Sequence, residues 1–296
     1  MKTANRSFPG KLLLFGEHVL LLGASALSVP VSAFSGQWVY SDTHDDPHRE
    51  RLLAFAQSPG LQSIAGLETE SFYQDIQAGW SFHSNIPTGY GLGSSGALCA
   101  AVYDQYARIK TPDLIELKPI FAQMESFFHG NSSGLDPLTS YIGKPILVQS
   151  PKVVRIAEPT NWTKSSQPTV LLLDSQLPRQ TGPLVAWFLA KSKEPDFSHW
   201  LKTAYLPAHE SLVQHWLVAN SDAFWTRLQQ ISAFQWTHFA PLIPTTVYDF
   251  WQKNQSNPDL VLKICGAGGG GYVLAFARHP SLFSEIPSEL NAVSPL

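Results

Sequence analysis

The stretch Pro87-Thr88-Gly89-Tyr90-Gly91-Leu92-Gly93-Ser94-Ser95-Gly96-Ala97-Leu98-Cys99-Ala100-Ala101 constrains the chain more than any other. Glycines at every second position from 89 to 93 let backbone amides turn inward with no Cβ in the way, and two serines follow where an alanine-rich helical run begins. Free N–H groups at a helix start, added to the positive end of the helix dipole, would hold a phosphate without a lysine in the loop. The lysine of G-x-x-x-x-G-K-[ST] is missing, so this is not a Walker A sequence. Taken alone, the pattern reads better as a flexible turn leading into a core helix. Its surroundings decide between the two.

Upstream, Gly79 to Ile86 alternates between apolar and polar residues and predicts a strand that delivers the chain into the loop. Downstream, a helix is expected to run to about Arg108 and to stop before Thr111-Pro112. A second helix follows, in which Leu114, Leu117, Phe121, Met124 and Phe128 recur by three and four and draw a buried stripe. Glu125 borders that stripe. A carboxylate there pairs, binds a cation, or packs its stem while its head reaches water. In the polar loop from Phe128 to Pro137, Asp136 precedes a proline, which predicts extended geometry at a strand start, or a turn former.

Toward the N-terminus, Pro9 to Gly23 holds two apolar runs around Gly16-Glu17-His18 and predicts a hairpin. Lys11 would enter its first strand, with Glu17 and His18 in the connection. Residues 29 to 40 predict a further strand, with Phe34, Trp38 and Tyr40 on one parity. Asp42 to Arg51 is acidic and carries His44 and His48; without rigid ligand spacing it reads as a surface loop. Beyond another strand or strand pair at Tyr141 to Gln149, the polar connection Glu158 to Thr169 marks a boundary between domains at 1–165 and 166–296. Val170 to Asp174 predicts a strand, Thr181 the N-cap of a helix through Ala190, and Phe197 to Asn254 mostly helix with a tryptophan- and phenylalanine-rich core. Last come a strand from Leu260 to Cys265, a glycine loop from Gly266 to Gly271 and a strand from Tyr272 to Phe276. So much glycine implies a close backbone approach.

With 296 residues the chain can bury one large core or two modest ones. A net charge of -3 with 15% charged residues shows no basic excess, so no nucleic-acid partner is expected. No apolar run approaches the roughly 20 residues that span a bilayer, and the N-terminal residues lack a secretory pattern, so no membrane partner is expected either. Cys99 and Cys265 both lie inside motif-like segments, which argues against a disulfide framework and for a reducing cytoplasm.

Together, Pro9-Gly10-Lys11 through Gly16-Glu17-His18, Gly89 to Ser95, and Lys263 to Gly271 resemble, in this order, the motifs of the GHMP kinase superfamily. Within it, Glu125 followed by His129 to Asp136, and the R-x-T segment Arg179-Gln180-Thr181, resemble the mevalonate kinase family. The resemblance implies a two-domain α+β protein with a ribosomal S5-like N-terminal domain and a ferredoxin-like C-terminal domain. It implies that ATP binds at Gly89, Gly91, Leu92, Gly93, Ser94 and Ser95, that Ser95 and Glu125 ligate Mg²⁺, and that Asp136 and Lys11 act at the acceptor hydroxyl. Glu17, His18, Thr181, Gly266 and Ala267 would lie close to the acceptor. The reaction implied is ATP-dependent conversion of mevalonate to 5-phosphomevalonate in isoprenoid biosynthesis. Asp136 would serve as the base or as an electrostatic and orienting group. A homodimer is compatible with the resemblance. The alternatives are a GHMP kinase for another small alcohol or sugar, and a non-catalytic ligand-binding relative. Three places depart from the family pattern: Tyr90 stands where a smaller residue is usual, Gly96 replaces a common alanine, and Gly182-Pro183 makes the stretch after the R-x-T segment less regular.

Overall fold

The computed structural model describes residues 6–41, 47–150, 153–157, 162–163, 166–179 and 181–295. Its strands are β1 (Phe8–Phe15), β2 (Ala26–Tyr40), β3 (Trp80–Ser84), β4 (Ile146–Ser150), β5 (Val153–Ile156), β6 (Thr169–Asp174), β7 (Leu260–Ile264), β8 (Tyr272–Ala277) and β9 (Ala292–Val293). One sheet runs β1-β2-β4-β5 with β3 joined to β2, and a second runs β7-β8-β6-β9. Among the described residues no helix is long and apolar enough to cross a membrane.

The chain forms two compact units, one of Met1–Lys11, Ser28–Thr88 and Leu92–Ile146, the other of Leu12–Leu27, Gly89–Gly91 and Leu147–Leu296. In the first, β2 and β3 pair antiparallel with Trp38 opposite Phe82. Trp38 is 5.9 Å from Phe72 and 6.1 Å from Tyr106, both nearly edge-on, and its indole N–H donates to the Ala101 carbonyl at 3.3 Å. The helix Ser94–Tyr106 packs against the helix Leu135–Ile142, where Gly96 lies against Asp136 and Pro137 with no side chain to hold them apart. The helix Leu114–His129 buries Leu117, Phe121 and Met124 as the three-and-four spacing predicts, and Glu125 is buried with them.

In the second unit, β6 pairs antiparallel with β8 and with β9, and β7 pairs antiparallel with β8. Every residue of β7 and β8 is buried. The helices Leu206–Leu217 and Ser221–His238 pack together, and the latter packs on β7. Phe15, Trp216, Phe224 and Phe276 form one aromatic cluster, with ring centroids 5.4 to 6.2 Å apart.

Two local expectations are corrected. Val19–Leu22 is a 3₁₀ turn rather than the second strand of a hairpin, because His18 at φ 61° and Gly23 at φ 85° bend the chain at both ends of that run. Asp136 lies in the first turn of the helix Leu135–Ile142, capped by left-handed Gly134, and not in extended backbone. Proline is tolerated there because the amides of a first helical turn have no intrahelical partner. The residues 42–46 of the acidic segment, and much of the connection from 158 to 165, lie outside the described residues.

Candidate active site

In the first unit, β1 carries Lys11, whose amide donates to the Leu92 carbonyl at 2.8 Å and so ties the strand to the glycine loop. Lys11 Nζ stands 2.8 Å from Asp136 Oδ2. Gly93 makes this possible: a Cβ there would fall 2.7 Å from Lys11 Cγ and 3.6 Å from Asp136 Cβ. Gly93 also caps the helix Ser94–Tyr106 in left-handed geometry and brings no side-chain cap hydrogen bond. The first intrahelical bond is Ala97 N–H to Gly93 C=O at 2.9 Å, so the amides before it face outward as anion donors.

Ser95 and Glu125 meet on the same side. The Ser95 hydroxyl donates to Glu125 Oε1 at 3.0 Å and is 2.9 Å from His129 Nε2, while the Ser132 hydroxyl donates to Glu125 Oε2. Glu125 is 4% exposed, and among the described residues no cationic side chain is bonded to it. Burial first, and the Asp136 charge second, push its pKa up to about 7. A buried carboxylate held so far above its ordinary range is a site that a cation would relieve. The donor set of one carboxylate and one hydroxyl suits Mg²⁺, which keeps waters and phosphate oxygens in the rest of its octahedron. The first unit also has a cavity of about 550 Å³ whose lining includes Ser35, Gln37, His48, Phe82 and Asn85.

The second unit gathers Glu17, His18, Gly266 and Ala267. Glu17 is buried and bonded to the buried Lys263 ammonium, which also donates to the Ile264 carbonyl at 3.1 Å. Burial pushes the Glu17 pKa up, and Lys263 pulls it part of the way back. His18 Nε2 lies 3.1 Å from the Ala267 carbonyl, and its ring is 4.9 Å from Phe188. Burial lowers its pKa to about 4, so the ring is neutral at pH 7. A neutral ring facing a carbonyl through Nε2 donates there, leaving Nδ1 as an acceptor; Nδ1 is buried and has no partner among the described residues.

Arg179 lies where Gly91 and Gly266 leave room. A Cβ on Gly91 would overlap the guanidinium, and one on Gly266 would stand 2.6 Å from Nη1. Arg179 donates to the Cys265 carbonyl at 3.4 Å, and its buried Nε has no partner among the described residues. Gly89, at φ 83°, faces open space. Thr181 is the exposed first residue of the helix Thr181–Lys191, and no hydrogen bond links it to His18 or Ala267 among the described residues.

Residues 62–144, which contain the loop, Glu125 and Asp136, match the family described as GHMP kinases N terminal domain. This segment belongs to the GHMP kinase family. Across 96% of this chain and 92% of the relative, the sequence is 24% identical to a mevalonate kinase of Thermococcus sibiricus. The fold matches that of an L. major mevalonate kinase crystallised with R-mevalonate, with a TM-score of 0.66 over 99% of this chain and 98% of that one, at 15% identity. It also matches a Streptococcus pneumoniae phosphomevalonate kinase in complex with phosphomevalonate and AMPPNP, with a TM-score of 0.67 over 98% of both chains, at 15% identity. The chain therefore has the α+β fold of the GHMP kinases along its length.

Three residues of the two clusters are not singled out by the sequence. His129 sits one helical turn after Glu125, an i, i+4 spacing that places both on one face and could have marked it. Ser132 gave no such signal. Lys263 was visible as a charge inside an apolar strand, but its partner Glu17 is 246 positions away.

Proposed function

We propose that the chain is an ATP-dependent small-molecule kinase that phosphorylates the hydroxyl of mevalonate to give 5-phosphomevalonate. The observation that carries this reading is the Lys11–Asp136 pair, 2.8 Å apart and shaped by Gly93 at the start of a helix with no side-chain cap. Phosphoryl transfer asks mainly for positioning and for neutralisation of phosphate charge. The polyphosphate of ATP is assigned to Gly89, Gly91, Leu92, Gly93, Ser94 and Ser95, whose backbone amides and serine hydroxyls offer donors and whose helix dipole favours an anion. The cavity bordered by Asn85, two residues before Pro87, is a candidate for the base.

Ser95 and Glu125 would hold Mg²⁺. When bound, it supplies neutralising charge to the phosphates. Asp136 accepts a hydrogen bond from the acceptor hydroxyl and orients it, taking the proton as the new bond from that oxygen to the γ-phosphorus forms and the bond from the γ-phosphorus to the bridging oxygen breaks, with ADP as the leaving group. Lys11, paired with Asp136, offsets the charge that grows on the acceptor oxygen. In the second unit, His18 Nδ1 would accept from a hydroxyl, and Gly266, Ala267 and Thr181 are assigned to the acceptor with it. Glu17 contributes by fixing the turn that carries His18, since its carboxylate is already engaged by Lys263. The division into domains at 1–165 and 166–296 and a cytoplasmic location belong to the same proposal.

Mg-ATP with a panel of mevalonate, phosphomevalonate, galactose and homoserine, followed by coupled detection of ADP, tests the assignment. Mevalonate is expected to give the fastest ADP release. Phosphomevalonate belongs in the panel because the likeness to the phosphomevalonate kinase, with a TM-score of 0.67, is as strong as that to the mevalonate kinase. ADP release at the buffer rate with mevalonate, alongside turnover of another alcohol, would overturn the acceptor.

A further inference from the structure

Tyr90 interrupts the glycine loop with a large ring, and within the second unit that ring has a built seat. It lies 5.1 Å from the ring of Tyr272 at an angle of 57°. Tyr272 is the register partner of Asp174 at the end of the β6–β8 ladder. After burial, the Asp174 carboxylate beside the Tyr90 hydroxyl is the next cause that raises the Tyr90 pKa. That carboxylate is itself held, because Asp174 Oδ1 accepts from the Gln176 amide at 2.8 Å. Gly271 closes the seat: its φ of 66° suits glycine, and a Cβ on it would stand 3.2 Å from the Tyr90 carbonyl oxygen, so the two backbones pass closely here.

Gly89 and Gly91 both take left-handed φ, at 83° and 75°. A loop of this kind has many competing conformations when nothing holds it, and ordering it on ligand binding weakens affinity. A small residue at 90 would keep the backbone contact with Gly271 and lose the ring and hydroxyl contacts. We propose that Tyr90 is a positioning residue, which clamps Gly89–Gly91 to the paired ends of β6 and β8 and so presets the loop for the polyphosphate of a nucleotide. This rests on the nucleotide assignment made above. It also accounts for a bulky residue where the family pattern has a small one: the ring replaces intrinsic loop stiffness with an external anchor.

Titration of the N-methylanthraniloyl derivative of ATP, with Mg²⁺, onto the full chain tests the proposal directly. Tyr90→Ala is expected to weaken binding about tenfold, and Tyr90→Phe, which keeps the ring, by no more than about threefold. Asp174→Asn should fall with Tyr90→Phe. In steady-state kinetics the loss should appear in KM for ATP, while kcat and KM for the acceptor stay within about twofold of wild type. Tyr90→Ala binding the fluorescent nucleotide as tightly as wild type would overturn the clamp. So would a fall in kcat together with a rise in both KM values, or a loss in Tyr90→Phe equal to that in Tyr90→Ala. A wild type that fails to bind the nucleotide removes both this proposal and the nucleotide assignment. A wild type that binds it but releases no ADP with mevalonate removes only the acceptor.

Discussion

Each of the two units holds a lysine–carboxylate pair, and the two differ in how far water reaches them. Lys11 and Asp136 are 2.8 Å apart with side chains 11% and 29% exposed, whereas Lys263 and Glu17 are 1% and 4% exposed. In the buried pair the lysine is saturated: it serves Glu17 and the Ile264 carbonyl, and it lies 5.8 Å from the centroid of the Phe15 ring. Nothing in that arrangement can change partners without stranding a charge in a medium of low dielectric. The open pair can exchange, because Asp136 sits in a first helical turn with part of its carboxylate toward water. The same two kinds of group thus give a fastener in one unit and, in the other, a more open pair to which the proposed reaction assigns its chemistry. Burial and saturation, not charge, separate them.

The comparison breaks most easily at the fastener. Lys263→Met should destabilise the fold by about 3–5 kcal/mol, the usual cost of leaving one partner of a buried pair unpaired. Chemical denaturation measures it. Adding Glu17→Gln should recover about half of the loss, since the stranded carboxylate is then gone. A single variant that unfolds at the wild-type denaturant concentration would show that the pair holds nothing together.

At the open pair the expected effect lies in turnover instead. Asp136→Asn should lower kcat by at least about 100-fold, equal to about 2.7 kcal/mol of barrier, with nucleotide binding kept and the denaturation midpoint near wild type. Unchanged turnover would remove Asp136 from the chemistry. A loss of stability as large as that of Lys263→Met would make the two pairs alike.

What could be read in advance follows the range of the signal. The loop, the strand before it and the helix after it were legible, because glycine spacing and apolar periodicity are local. The helical stripe that buries Leu117, Phe121 and Met124 was legible for the same reason. Val19–Leu22 was misread as a strand, since leucine and valine favour one and the left-handed backbone at His18 leaves no mark in its residue type. Asp136 was rightly singled out but given the wrong backbone, because the proline rule for the preceding residue yielded to a helix start capped by Gly134. The pairing of Glu17 with Lys263, and the seat of Tyr90 on Tyr272, depend on residues far apart in the chain that no local pattern joins.

Gly96 offers the smallest and sharpest test of the open pair, because it acts on Asp136 without touching a charge. It lies where the helix Ser94–Tyr106 meets the first turn of Leu135–Ile142. An alanine Cβ there would stand 2.8 Å from Pro137 N, 2.9 Å from the Asp136 carbonyl carbon and 3.0 Å from Asp136 Cβ. Backbone atoms cannot rotate aside, so Gly96→Ala must push the two helices apart by a few tenths of an ångström, and Asp136 moves with its helix. Alanine is favoured over glycine inside a helix by about 1 kcal/mol, which offsets part of the packing strain, so the net change in stability should stay within about 1 kcal/mol. Turnover has no such offset. A catalytic group displaced by a fraction of an ångström should cost about tenfold in kcat, with Mg-ATP affinity little changed. Steady-state kinetics beside a denaturation curve separates the two quantities. A variant with wild-type kcat would show that Asp136 tolerates displacement from Lys11, and the tight geometry of the open pair would then carry no catalytic weight.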